Sequence, residues 1–128
     1  MANRRSVSLA IAAVLILGAV AWAEESLNAN DLQAAQLTTV TPIDGFVIHA
    51  RSDRNVTIEA VDVARTAPDG EVFNVRIKLN GGGALDYRSI HFTTKGRADL
   101  TIYLASSSKT DARVLKIVDA AGSVVAEV

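Results

Sequence analysis

From Ile43 onward the chain alternates apolar and polar residues with a period of two, in short runs broken by turn residues, and this restricts it to β-structure. Phe46, Ile48 and Ala50 alternate with Val47, His49 and Arg51. Val56, Ile58 and Ala60 alternate with Thr57, Glu59 and Val61, and Phe73, Val75, Ile77 and Leu79 with Val72, Asn74, Arg76 and Lys78. Ile90 and Phe92, then Leu100, Ile102 and Leu104, repeat the pattern; residues 114–118 form a denser run, and Val124 and Val125 a last short strand. Turn signals lie between the runs, among them Ser52-Asp53-Arg54-Asn55, Pro68-Asp69-Gly70, Gly81-Gly82-Gly83 and Ala120-Ala121-Gly122. No long helical period competes. The expected fold is an all-β, antiparallel β-sandwich of jelly-roll or Ig-like type over residues 43–128.

The segment ahead of the strands reads differently. Arg4 and Arg5 precede an apolar run over residues 7–20, and Ala21-Trp22-Ala23 then places small residues where a signal peptidase reads, with Glu24 and Glu25 following. Residues 1–23 are therefore expected to be a signal peptide, and the mature protein to be secreted or periplasmic. A membrane anchor is the rival reading, because residues 7–23 reach the lower edge of a spanning length. Residues 24–42 are polar and mixed and read as a leader, in which Asn30 is placed to cap a short helical turn.

Cleavage changes the chemistry available. The only Met and the only Trp leave with the signal. The mature chain keeps 11 basic and all 14 acidic residues, a formal charge of −3. That mild balance suggests neither nucleic acid nor, after cleavage, a membrane as partner. The chain has no cysteine, hence no disulfide and no thiolate metal site, and no cofactor is expected.

Catalytic machinery is hard to assemble from these residues. His49 and His91 each fall within a predicted strand and read as ordinary strand-face histidines. No H-E-x-x-H, G-x-S-x-G or phosphate-loop motif occurs, and Gly81-Gly82-Gly83 lacks the helix and Lys-Ser/Thr of a phosphate cradle, so it reads as a flexible loop. The aspartates scatter over turns without a calcium-loop signature, and no metal site is expected. Asn55-Val56-Thr57 fits a glycosylation sequon.

The cations carry more information. Asn74, Arg76 and Lys78 project from one face of a strand whose other face carries Phe73, Val75, Ile77 and Leu79. Arg88 opens the next strand, Lys95 flanks a turn, and Arg113 and Lys116 lie on a later strand. One reading is a solvated face with scattered ion pairs; the other is a face for an anionic polymer. The mature chain has no Trp and only Tyr87 and Tyr103, which is a poor supply of rings for stacking on neutral sugar. Charge recognition needs no ring. At about 0.2–1 kcal/mol per exposed pair, four or five pairs give millimolar affinity at best. Such binding is salt-sensitive and requires a long polymer.

The tract F-N-V-R-I-K-L-N-G-G-G, followed by Y-R-S-I-H-F-T-T-K-G-R and, further on, S-S-S-K-T-D-A-R-V-L-K-I-V-D-A-A-G-S-V-V, resembles the β-sandwich module appended to bacterial pectate lyases. That module is similar to the pectin-binding carbohydrate-binding modules of family 77. Ile43-Asp44-Gly45-Phe46 looks like its first strand. The resemblance spans about residues 43–128 and implies a non-catalytic module that binds homogalacturonan through basic side chains. Arg76, Lys78, Arg88 and Arg113 match the motif positions, with Lys95 and Lys116 as further candidates. Two departures stand out: no lyase domain is attached, and the chain stops at Val128, before the family's last strands. An open sheet edge is then expected, filled by residues 24–42 or by a partner chain, or left by truncation. The alternatives are an exported envelope structural or interaction domain of pre-peptidase type without sugar affinity, and a small lyase or hydrolase.

Overall fold

The computed structural model describes residues 24–106, 108–111 and 113–128; the expected signal peptide lies outside them. The described residues form two compact units, 24–98 and 99–128. The first holds β1 (Ala35–Leu37), β2 (Thr41–Ile43), β3 (Phe46–His49), β4 (Val56–Thr66), β5 (Val72–Lys78) and β6 (Ser89–His91); the second holds β7 (Lys116–Val118) and β8 (Val124–Glu127). All pairings are antiparallel, in the orders β1-β4-β5, β2-β3-β6 and β7-β8. There is no α-helix among the described residues. The fold is all-β, as the period-two pattern requires.

The turns follow from their residues. Asp44 and Gly45, at φ 43° and 82°, form the two-residue turn between β2 and β3, where both central positions need a left-handed backbone. At the β4–β5 hairpin, Gly70 N–H donates to the Ala67 carbonyl at 2.9 Å and Ala67 N–H to Glu71 O at 2.7 Å. Pro68 and Asp69 occupy the corner, and Gly70 at φ 92° completes the return. Asp119–Gly122 repeats this construction between β7 and β8, with Asp119 Oδ1 accepting from Ala121 N and Ser123 N at 2.9 Å each.

In the 24–98 unit the two sheets bring their apolar faces together. Ile48 and Val56 are fully buried, Ala50 nearly so, and Leu37, Ile43, Ile77 and Leu79 pack around them. Cross-strand register explains the grouping. Leu37 opposes Val56 and Ile58 opposes Ile77 in one sheet, while Ile48 opposes Ile90 in the other. Partners in a ladder share a face, so each pair stacks on the same side. Phe46 and Phe92 extend this face, their rings 5.8 Å apart.

Three expectations change in detail. Residues 24–42 are more than a leader: they supply β1, which pairs with the central strand β4, and most of β2. The short turn of helix is a 3₁₀ turn over Ala29–Asp31 capped by Asn28, whose side chain accepts from Asn30 N at 3.0 Å. Asn30 itself reaches the free edge of β5, accepting from Asn74 N at 2.9 Å and Val75 N at 3.2 Å and donating to Val72 O at 2.9 Å. Residues 100–104, for all their alternation, belong to no strand. Alternation supplies a face, but a strand also needs a neighbouring ladder.

Candidate functional site

The cations expected to bind ligand fall into different surroundings. Arg76 and Lys78 lie on the outer face of the β1-β4-β5 sheet, on β5, opposite Glu59 and Thr57 of β4. Glu59 Oε1 accepts from Arg76 Nε at 2.9 Å and from Arg76 Nη2, and lies 3.8 Å from Lys78 Nζ. One carboxylate oxygen thus serves two cations that remain 42% exposed. The Arg76 hydrogen bond holds the Glu59 carboxyl below its ordinary range against an upward push from desolvation, and the charges of Arg76 and then Lys78 add to the lowering. The three groups carry a net charge of +1.

Beside them the register of β4 against β5 shifts between Ala60 and Arg65. An open recess lies at this irregularity, lined by Glu59, Ala60, Val61, Asp62, Val63, Arg65 and Arg76. Arg65 has no carboxylate partner among the described residues.

Arg88 and Lys95 lie on neither β4 nor β5. Arg88, at φ 49°, turns its Nε to the Asn55 carbonyl at 3.4 Å and is only partly exposed. Lys95 is exposed in the bend after β6. Arg113 and Lys116 belong to the 99–128 unit, where Arg113 is exposed and Lys116 lies 3.6 Å from Glu127 on the paired strand.

A second polar cluster occupies the outer face of the β2-β3-β6 sheet. His49 opposes Ser89, and Val47 opposes His91, so the two imidazoles are diagonal neighbours. They stack with centroids 3.9 Å apart and planes 18° from parallel. Ser89 Oγ donates to Leu85 O at 3.2 Å and sits 3.0 Å from His91 Nε2. With its proton committed to the carbonyl, the hydroxyl accepts from His91. That is the reverse of the polarity a Ser–His nucleophile requires. No group of three ligating side chains is positioned for a metal among the described residues. Below the pair, Arg51 bonds Asp53 at 3.3 Å through both Nε and Nη2, and Asp86 at 3.1 Å. The guanidinium carbons of Arg51 and Arg54 lie 4.9 and 5.8 Å from the Tyr87 ring centroid. Tyr87 is therefore covered by cations rather than open for sugar stacking.

The histidine pair makes stability depend on acid. Burial, and then the adjacent His91, lower His49 from 6.5, with Asp86 pulling partly the other way. Above about pH 6.5 His49 is neutral in folded and unfolded chains alike, and its contribution is complete. As pH falls below that, the unfolded chain takes up a proton that the folded chain resists, so stability declines until the folded value is passed. Urea midpoints are expected to fall between pH 7.5 and 5.5, and by less in His49→Gln. An equal fall in both proteins would assign the loss to other groups.

The sequon has a structural occupation. Asn80, at φ 60°, donates from Nδ2 to Asn55 Oδ1 at 2.9 Å and to Thr57 Oγ1 at 2.8 Å, so both sequon side chains are tied to the turn after β5.

No protein-family model, curated protein or solved structure matches the chain. Its chemistry has to be read from these residues. Sequence reasoning missed Glu59 as the partner of Arg76 and Lys78, and the meeting of His49 with His91. All five sit on polar positions of the alternation, which is the signal that was available. What was lacking is the register that sets one strand against the next.

Proposed function

We propose that the protein is an exported, non-catalytic module that binds acidic plant polysaccharide, homogalacturonan, through basic side chains. The observation that carries this reading is the placement of Arg76 and Lys78 side by side on one sheet face, half exposed, next to an open recess that Arg65 also lines. Residues two apart on a strand stand about 7 Å from each other. Such spacing suits a polymer that repeats its carboxylates. The resemblance to pectate-lyase modules supports the same ligand class, and Arg76 and Lys78 are among its matching positions. The covering of Tyr87 by Arg51 and Arg54 favours charge recognition over ring stacking.

Arg76 and Lys78 alone offer two contacts, so binding per site is weak and depends on several contacts along one polymer. The folded protein is expected to be retarded in gels containing polygalacturonate at low salt, and released by added salt. Free migration of folded protein at low salt would sink the proposal.

A second reading, an interaction domain that docks a partner chain, draws on the 99–128 unit. There Val114, Val118, Val124 and Val125 are 58%, 39%, 50% and 63% exposed around a two-stranded hairpin. Self-association or co-purification with an envelope protein, without retardation by polygalacturonate, would favour it.

A further inference from the structure

We propose that Glu59 is a resident competitor for the ligand's carboxylate, and that its hold on Arg76 sets the affinity and the polymer dependence of the β5 face. The inference rests on the polyanion-binding reading above. Glu59 makes with Arg76 the contact that an incoming carboxylate would make: two N–H groups of one guanidinium directed at a carboxylate. It is placed there by register, since Glu59 and Arg76 are direct ladder partners. The same oxygen lies 3.8 Å from Lys78, so both cations of the face are partly satisfied before any ligand arrives.

The recess gives the ligand its approach. Its lining includes Arg76 and Glu59 from the ladder, and Arg65 from beyond the irregularity in β4. An anion entering it reaches the Arg76 guanidinium beside the Glu59 carboxylate. Two carboxylates on one guanidinium repel each other, so the ligand's carboxylate is held more strongly when Glu59 yields. At 34% exposure its side chain has solvent to turn into. A single uronate gains too little to displace it. A polymer that engages Lys78 with a neighbouring carboxylate raises the effective concentration of the displacing group. The site thus discriminates for runs of acidic sugar against isolated ones.

The test compares wild type, Glu59→Gln, Arg76→Gln and the double variant by retardation in polygalacturonate gels, each first shown to be folded by circular dichroism. Asp99→Asn, at an exposed position in the other unit, controls for the change in net charge. Glu59→Gln is expected to bind roughly 3- to 5-fold tighter than wild type. It should also gain measurable affinity for galacturonate monomer, and the gain should vanish in the double variant. A gain that survives loss of Arg76, or that Asp99→Asn reproduces, would overturn the inference. So would wild-type retardation indifferent to Glu59→Gln, which leaves the binding reading standing. Absence of retardation in both wild type and Glu59→Gln would remove the binding reading itself, and this inference with it.

Discussion

Ile48→Ala is expected to bring the 24–98 unit close to unfolding, with a loss of about 2–5 kcal/mol. The side chain is fully buried, and it and Val56 are the largest fully buried side chains among the described residues. The core around them is small: Ala50, Ile58 and Ala67 complete the buried apolar set of the described residues, and Leu37, Ile43, Ile77 and Leu79 are partly covered. Small domains hold roughly 5–15 kcal/mol in total, so a single cavity here removes a large share. Relaxation would not refill the space readily, because Ile48 lies on the middle strand of its sheet, paired to β2 on one side and β6 on the other. Urea denaturation followed by circular dichroism checks this. The midpoint should drop steeply in Ile48→Ala and by a fraction of that in Ile48→Val, which typically costs about 0.5–1.5 kcal/mol. A shift in Ile48→Ala no larger than that of Ile48→Val would mean that the two sheets do not depend on this contact.

The alternation was sufficient to place Ile48, Val56 and Ile77 inside and Arg76 and Lys78 outside, because strand geometry sends successive side chains to opposite faces. The Pro-Asp-Gly turn is equally legible from its residue types, whereas Asp44-Gly45, expected within a first strand over residues 43–46, is the turn that separates β2 from β3. Pairing was not legible. β1 is three residues of ordinary polarity, Ala35–Leu37, and nothing local marks it as the partner of β4. For the same reason the candidate site was visible only in halves. Arg76 and Lys78 announced themselves as cations on one face, but Glu59 becomes their common counter-ion only when β4 and β5 are laid in register. Residues 100–104 show the converse, a strand-like pattern that enters no strand. The glycine run reads as a loop because composition does not show what passes close to it.

Gly83→Ala should destabilise the protein by about 1–3 kcal/mol, while Gly82→Ala, one residue earlier, should be nearly neutral. A flexible loop would make the two alike. In the structure a Cβ on Gly83 would overlap the Arg88 carbonyl oxygen and stand 3.1 Å from both the Arg88 carbonyl carbon and the Tyr87 oxygen. A Cβ on Gly82 meets nothing within 4 Å. Neither residue has a left-handed backbone, so the contrast is steric rather than conformational. The obstruction is main chain, which cannot rotate away as a side chain would. It belongs to the turn in which Ala84 N donates to Tyr87 O at 2.9 Å, and through which Arg88 reaches the Asn55 carbonyl at 3.4 Å. Displacing that turn would also disturb the segment leading into β6, where Ser89 and His91 begin their pairing with β3. Thermal denaturation of the two variants side by side decides the matter. A lower midpoint confined to Gly83→Ala makes the glycine run a packing device for Arg88, and equal midpoints would return it to the status of a loose connection.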